Sequence, residues 1–535
     1  MSHLQAASPA EPYDRRWWAL GVLVLSLVLI GLDNTIVNVA LPTLVRDLNA
    51  TNSELQWTVD AYTLLFAGLL LTAGSVADRY GRKGTLNFGL IVFGIGSVLC
   101  ALARTPTQLI ATRALVGSGG AFIMPSTLSI LTNMFPPSER ARAIGLWAAA
   151  AGIGIPLGPV AGGWLLEHFY WGSVFLVSVP VVVAALAFGQ WLVPTSRASH
   201  QVALDIPGAA LSFAGLAALV YALIEAPNRG WTSTSTLALF AASVTLLVAF
   251  MVRELRTTAP LLDMRFFRRP RFSAASGAIA LIFFALFGSL FALTQYLQFV
   301  LGYSPLEAGI RVVPVAAGLL IGAPSSPRLA ERVGSKLVVA AGMTLTATGL
   351  FLMSRLTVDT SYLKLVIALV VMSIGMGFSM APATESIMGS IPRAKAGVGS
   401  AMNDTTRQVG GALGVAVIGS VISSRYGAGL DPLAGTLPPA GLATARQSLG
   451  AALEEAGRLG PSGAPLAATA RDSFVHAMHA GFVVGAAVAL LGAVVVLAFL
   501  PARGEDVGEN FEEDEEAAAP AGMTARYVDA GTGGE

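Results

Sequence analysis

Four ionisable residues lie inside long apolar stretches and have no opposite charge three or four residues away. They are Asp33, Asp60, Arg113 and Glu385. A charge at the centre of a membrane costs at least about 2.5–3.5 kcal/mol, so such residues mark functional sites by default. A carboxylate shielded from water has a raised pKa and can exchange protons near neutral pH, whereas a nearby arginine lowers that pKa. The pattern predicts proton or cation binding within a membrane.

The three acids differ in their position along their stretches. Asp33 is the first candidate for binding a proton or a cationic substrate, because Asn34 and Asn38 place further polar groups beside it. Asp60 lies nearer the end of its stretch, where a helix cap or an entrance charge explains it equally well. Glu385 also lies near an end, so a water-exposed position competes with a coupling role.

Two other pairs of charges are spaced to meet on one helix face. Glu307 and Arg311 are four residues apart, and Asp404 and Arg407 are three apart. We interpret both pairs as mainly structural. Arg113 has no such neighbour and either acts together with an acid on another helix or ties two helices together.

The composition indicates a membrane protein. Of 535 residues, 54% are hydrophobic and 12% are charged, against about 25% charged in soluble domains. The net charge of +1 provides no basic field for nucleic acid. One cysteine, Cys100, excludes an internal disulfide and a paired-cysteine zinc site. We find no metal-ligand cluster or phosphate loop in the sequence and predict that the protein is not an enzyme.

The chain offers fourteen stretches of the roughly 20 apolar residues that cross a bilayer. Lys and Arg concentrate in alternate loops, which predicts that both termini are cytoplasmic. The predicted spans are 17–40, 55–76, 85–104, 108–131, 142–165, 173–193, 205–225, 234–252, 272–300, 307–327, 336–354, 362–386, 397–422 and 478–501.

A repeated motif divides these spans into two halves. Residues 77–83 and 330–336 both contain acid-Arg-x-Gly-x-Lys, between spans 2 and 3 and between spans 10 and 11. The repeat predicts a six-plus-two-plus-six architecture. Its parts are a cytoplasmic N-terminus (1–16), a six-helix bundle (17–193), a two-helix insert (205–252), a second bundle (272–501) with an outer loop at 423–477, and an acidic, disordered cytoplasmic tail (502–535).

The repeated loops are candidates for a conformational latch. Their glycines permit a tight reversal, and their charges can pair with another bundle or with lipid headgroups. Ordinary positively charged cytoplasmic loops are the alternative. The latch candidates are Asp78, Arg79, Gly81, Arg82, Glu331, Arg332 and Gly334.

The fifth span carries small residues at a spacing of four. Gly154, Gly158 and Gly162 form a face that admits close helix approach, and Pro156 and Pro159 bend the helix. This face is a candidate hinge, with simple helix packing as the alternative.

Residues 74–83 resemble the signature loop of the major facilitator superfamily. Residues 32–42, 113–117 and 154–163 narrow the resemblance to the fourteen-helix drug:proton antiporters. The segment 113–117 departs from the family pattern at Val116, where a polar residue often precedes the glycine. The resemblance implies an all-α major facilitator fold in the plasma membrane. It also implies a role of Arg113 in proton coupling, and protons rather than a bound cofactor.

We therefore predict a proton-coupled exporter of small amphipathic drugs that works as a monomer by alternating access. An importer or metabolite symporter on the same scaffold is the alternative, and a membrane-embedded sensor or enzyme is less favoured. Its partners are a small molecule and the bilayer, not nucleic acid. Candidate cavity residues, which could instead face lipid, core or the membrane interface, are Asn34, Asn38, Trp57, Tyr62, Phe287, Phe291, Gln295 and Gln298.

Overall fold

The computed structural model describes residues 14–48, 52–196, 205–257, 260–392, 395–433, 435 and 438–501, and every regular element in these ranges is helical. The helices are α1 (Arg16–Leu48), α2 (Asn52–Tyr80), α3 (Arg82–Ala101), α4 (Pro106–Met134), α5 (Pro137–His168), α6 (Ser173–Leu176), α7 (Ser178–Leu192), α8 (Ile206–Arg229), α9 (Thr234–Arg256), α10 (Pro270–Gln295), α11 (Pro305–Val333), α12 (Ser335–Met353), α13 (Tyr362–Met388), α14 (Ala396–Gly429), α15 (Pro439–Gln447), α16 (Leu449–Arg458) and α17 (Ala464–Phe499).

The all-α polytopic fold is confirmed. Within the described ranges, 13 helical segments are long and apolar enough to cross a membrane, one of which joins α6 and α7. The 32-residue helix α5 packs along α1 and α11 and brings the bundle to the predicted fourteen. Helices α15 and α16 are short and lie in the predicted outer loop.

The two halves repeat the same helix packing. In the first half α1 packs on α5, while α2 and α3 both pack on α4. In the second half α10 packs on α14, while α11 and α12 both pack on α13. These pairs correspond one to one under the repeat that the sequence motif indicates. The halves meet where α5 lies against α11 and where α2 lies against α14.

The insert lies beside this interface. Helix α8 packs against its partner α9 and against both α2 and α14. Trp231, in the loop after α8, donates a hydrogen bond to Ser420 Oγ of α14 at 2.8 Å. In the apolar segment of α9 17% of the residues are buried, compared with 72% in α4. Helix α9 is therefore peripheral, with most of its surface available to lipid.

Several helices run further than the predicted spans. Helix α1 continues to Leu48, α14 to Gly429, and α17 begins at Ala464. The surface helix expected in the outer loop is two helices, α15 and α16. The outermost segments of the chain, 1–13 and 502–535, lie outside the described residues.

Candidate functional site

Asp33 and Arg113 meet across two helices. Arg113 Nη1 of α4 donates a hydrogen bond to Asp33 Oδ2 of α1 at 2.7 Å, and both side chains are 1% exposed. Neither residue has an opposite charge near it on its own helix, so each depends on the other helix for its partner. The pair forms the most deeply buried short ion pair in the described part of the chain.

Helix α2 completes the surroundings of the guanidinium. Arg113 Nε donates to the Thr58 carbonyl at 3.2 Å, and its Cζ lies 4.6 Å from the centroid of the Tyr62 ring. Phe175 of α6 lies at 5.9 Å. Thr58 and Tyr62 are one helical turn apart, so one face of α2 supplies both contacts. The sequence pattern predicted Tyr62 but not Thr58 or Phe175. Thr58 could have been found, because it lies four residues before Tyr62 on the same helix.

The acid is less fully bonded than the arginine. Asp33 Oδ1 is buried and makes no hydrogen bond with protein groups. A buried ion pair is stable only with good geometry and further hydrogen bonds, and removal of one partner costs about 3–5 kcal/mol. Asp33 Oδ1 is therefore a buried acceptor without a protein partner in this conformation.

The other predicted acids and polar groups lie apart from this contact or are partly exposed. Asp60 of α2 and Glu385 of α13 are half-buried, as is Asn34 of α1. Trp57 stacks on Tyr221 of the insert at 5.7 Å between ring centroids. The side chain of Asn38 lies outside what the structure describes.

The aromatic candidates of α10 face α14. Phe287 and Phe291 lie against the backbone positions of Gly411 and Gly419, where no side chain intervenes. Phe291 remains 41% exposed. Gln295 ends α10, and Gln298 lies in the π-helical turn Tyr296–Val300 that follows it, both half-buried.

The first latch candidate bridges the two halves. Asp78 accepts hydrogen bonds from the backbone N–H groups of Gly397 at 2.9 Å and Val398 at 3.1 Å. These groups begin α14, where a carboxylate is stabilised by free N–H donors and the helix dipole. Arg82 Nη2 donates to the same carboxylate at 2.8 Å, and Arg79 lies over the Tyr80 ring.

The second copy has the same backbone but different surroundings. Gly81 and Gly334 have φ of 106° and 87°, and each donates its N–H to the alanine carbonyl four residues earlier. Positive φ with extended ψ is a conformation that glycine alone adopts readily. Glu331 and Arg332, however, are exposed. In this conformation the second loop does not make the cross-half contact that the first loop makes.

The glycine face of α5 packs on α1. A Cβ at Gly154 would lie 2.7 Å from Gly31 Cα, and one at Gly162 would lie 2.8 Å from an Ile36 side-chain atom. Gly158 is equally tight against Thr35. On another side of α5, Pro159 contacts Gly309 of α11. Helix α5 is therefore held between the halves. The side chain of Pro156 lies outside the described residues.

The two charge pairs predicted from helical spacing have different outcomes. Asp404 and Arg407 meet at 3.5 Å in α14, fully buried. The predicted pairing of Glu307 with Arg311 is wrong, because the Glu307 carboxylate accepts from the Ser304 N–H at 2.9 Å in a capping box. Arg311 instead lies 3.6 Å from the centroid of the Tyr303 ring.

Two ion pairs lie at helix ends, and their acids, Glu139 and Asp205, lie outside the apolar segments of the structure. A hydrogen bond from Arg16 at 2.7 Å lowers the pKa of Glu139 and ties the start of α1 to the start of α5. A hydrogen bond from Arg253 likewise lowers the pKa of Asp205, which also caps α8 through the Gly208 N–H. His476 and His479 lie together on α17, and the described residues contain no group of three metal-ligand side chains.

Sequence comparisons identify relatives along most of the chain. It is 35% identical to the multidrug efflux pump LfrA of Mycolicibacterium smegmatis, over 90% of this chain and 95% of that protein. It is 34% identical to the tetracenomycin C resistance and export protein of Streptomyces glaucescens, over 90% and 91%. The methyl viologen resistance protein SmvA of Salmonella typhimurium is 32% identical over 86% and 93%.

Solved transporters share the fold. A bacterial homologue of the lysosomal transporter Spinster has a TM-score of 0.57 at 21% identity and covers 92% of this chain and 99% of its own. The human organic anion transporter MFSD10 has a TM-score of 0.58 at 15% identity, covering 91% and 100%.

The family model described as Major Facilitator Superfamily matches residues 23–415. That match, the relatives and the helix packing repeated between the halves support a transporter rather than an enzyme. The chain belongs to the Major Facilitator Superfamily.

Proposed function

We propose that this protein exports small amphipathic drugs or antibiotics from the cell in exchange for protons. It acts in the plasma membrane with both termini in the cytoplasm, as a monomer, and uses protons with no bound cofactor. The observation that carries the proposal is the buried contact of Asp33 with Arg113, in which a carboxyl with one unbonded oxygen lies inside the helix bundle. The relatives are named for multidrug efflux, antibiotic export and methyl viologen resistance. These names support the proposed substrate class.

The mechanism is alternating access of two six-helix halves. Asp33 binds a proton or a cationic substrate group through its free oxygen, and the two compete because they need the same negative charge. When Asp33 is neutral, Arg113 retains the Thr58 carbonyl and the Tyr62 ring as partners. Coupling requires that the proton bind one orientation of the halves more tightly than the other, since equal affinity would shift nothing.

Contacts made by Asp78 and by α5 hold the two halves together at one end of the molecule. The carboxylate of Asp78 caps α14, and Gly145 lies against the Ala323 backbone of α11. These contacts are at the ends that the loop charges assign to the cytoplasm. We take this conformation as closed on the predicted inner side, from which separation of the halves would admit substrate.

The test is a drug-susceptibility panel in an efflux-deficient host. Puromycin and methyl viologen are suitable probes, because relatives carry resistance to each. Wild type is expected to raise the inhibitory concentrations, Asp33→Asn to abolish that rise, and Asp33→Glu to retain part of it. Equal susceptibility of the empty host and of the host with wild type, at normal membrane expression, would rule out drug export.

The direction of transport needs a separate measurement. In inside-out vesicles with an acidic lumen, an exporter accumulates the probe as protons leave. Loss of probe from preloaded vesicles, or movement of solute and protons in the same direction, would favour the importer or symporter instead.

A further inference from the structure

A second buried charge pair lies in α14. Asp404 Oδ1 and Arg407 Nη1 are 3.5 Å apart, with side chains 0% and 3% exposed. Asn403 Nδ2 donates to Asp404 Oδ1 at 3.1 Å, and Thr384 Oγ1 of α13 donates to Asn403 Oδ1 at 3.3 Å. The acid is thus held by groups of the second half of the molecule.

The arginine reaches toward the first half. Arg407 Cζ lies 5.0 Å from the ring centroid of Trp147 in α5 and 4.5 Å from that of Phe283 in α10. Trp147 is held in place because its Nε1 donates to Thr127 Oγ1 of α4 at 3.1 Å. The guanidinium therefore lies between one aromatic ring of each half, at the surface where the halves meet.

The pair is incompletely bonded in this conformation. Asp404 Oδ2 and the Arg407 Nε and Nη1 atoms are buried and make no hydrogen bond with protein groups. Arg113 differs, because it forms a 2.7 Å bond with its acid. The Arg407 guanidinium lies against two ring faces and makes no short bond with Asp404. This arrangement is consistent with a neutral carboxyl, which needs no counter-charge, while the rings stabilise the cation.

The arginines of the two pairs lie on helices that begin at opposite predicted ends. Helix α4 begins at the predicted outer end with Pro106, so Arg113 lies roughly 10 Å along it. Helix α14 begins at the predicted inner end with Ala396, so Arg407 lies roughly 16 Å along it. The contact of Asp78 with Gly397 lies between the second pair and the predicted inner end of α14.

We infer that Asp404 is a second proton-exchange carboxyl, which discharges toward the predicted inner side when the halves separate there. Arg407 is its positioning residue, moving from Trp147 to the ionised carboxylate. This inference rests on the proposed proton coupling. In the discharge step the Asp404 O–H bond breaks, its proton passes to water to give hydronium, and the electron pair stays on the carboxylate; recharging is the reverse.

The groups around Asp404 determine whether its protonation favours joined or separated halves. Arg407 is the charged group that acts on Asp404, while α13 contributes Thr384 and its half-buried neighbour Glu385, α5 contributes Trp147, and α10 contributes Phe283. A protonated Asp404 releases Arg407 to Trp147 and favours joined halves. An ionised Asp404 attracts Arg407 back to α14, removes the contact with α5 and favours separated halves.

The experiment measures the distance between the halves as a function of pH. Spin labels at Gly84 and Leu337, exposed positions at equivalent places in the two halves, are attached to the full chain carrying Cys100→Ser. Double electron–electron resonance then reports the joined and separated populations from pH 5 to 9. Wild type is expected to gain the longer distance as pH rises, whereas Asp404→Asn keeps the short distance throughout.

Companion variants keep the test decisive. Asp404→Glu retains a titrating carboxyl and is expected to retain the response. Trp147→Leu removes the ring and is expected to lower the joined-to-separated ratio at pH 5 by about three- to tenfold. A full response in Asp404→Asn, or failure of Trp147→Leu to change the ratio, would overturn the inference. A wild type with no response to pH, and no proton release on binding methyl viologen, would instead overturn proton coupling itself.

Discussion

The two halves of the molecule carry equivalent loops with different contacts. Asp78 caps the start of α14, whereas Glu331, its counterpart in the repeat, is exposed. Under the repeat, Glu331 would approach the start of α5. That helix begins at Pro137, and its first turn already holds Glu139, whose negative charge opposes a second acid at the same helix end.

The acid–arginine pairs differ in the same direction. Asp33 and Arg113 join two helices at 2.7 Å, while Asp404 and Arg407 share one helix at 3.5 Å. Asp33 and Asp78 of the first half thus make short contacts, whereas Asp404 of the second half is more loosely bonded and Glu331 is exposed. Equivalent sequence positions do not imply equivalent energetics, because the partner is supplied by whichever helix packs there.

The largest difference is expected between the arginines. Arg113→Met leaves Asp33 buried without its counter-charge and should destabilise the protein by about 3–5 kcal/mol, whereas Arg332→Met, on an exposed side chain, should cost about 0–0.5 kcal/mol. Thermal unfolding of the purified protein in detergent measures both. Equal losses of stability would show that the two halves do not differ in this way.

A glycine at the contact of the halves comes next. A Cβ at Gly74 would collide with the Gly397 carbonyl oxygen, while one at Gly84 meets nothing within 4 Å. Gly74→Ala should cost about 1–3 kcal/mol by overpacking and shift the molecule toward separated halves. Gly84→Ala is the matched control. The spin-label distance measurement, with labels at Lys83 and Leu337, checks the shift, and a joined population unchanged by Gly74→Ala would disprove it.

The loop acids should differ by a smaller amount. Asp78→Asn weakens the cap of α14 and the bond to Arg82, worth about 1–2 kcal/mol, so the joined-to-separated ratio should fall about five- to thirtyfold. Glu331→Gln should change it less than about twofold, because an exposed charge at this loop contributes little. Transport rates of the two variants, normalised to membrane expression, give a second reading. A strong defect in Glu331→Gln would show that the second loop docks in another conformation.

The smallest effect belongs to the insert. Because the bond from Arg253 lowers the pKa of Asp205, the pair stabilises the fold above the unfolded-state pKa of about 4, and this stability is lost as pH falls through the lower folded value. Asp205→Asn should cost about 0–1 kcal/mol, since Arg253 is 39% exposed. Unfolding temperatures should differ between wild type and variant at pH 7 and converge at acidic pH. A difference that widens on acidification would contradict the sign.

Much of the fold followed from the sequence, because apolar length and the loop repeat specify helices and their order. Partners across helices did not. Spacing rules report neighbours on one helix, so they predicted that Asp33 and Arg113 need another helix without showing that they need each other. The same rules assigned Asp404 and Arg407 to one face correctly but gave no indication of Trp147. Glu307 was misassigned because the same residue can close a capping box that begins at Ser304 or open an i,i+4 ion pair with Arg311.

The proposed mechanism depends above all on the exchange of a proton for substrate at Asp33. This exchange is measured as proton release when methyl viologen is added to purified protein in weakly buffered detergent over a series of pH values. Wild type is expected to release protons on binding methyl viologen. Asp33→Asn is expected to release fewer protons per bound methyl viologen, because it lacks the carboxyl proposed to give one up. Equal release from wild type and Asp33→Asn, with methyl viologen bound to both, would be incompatible with a proton-exchanging Asp33.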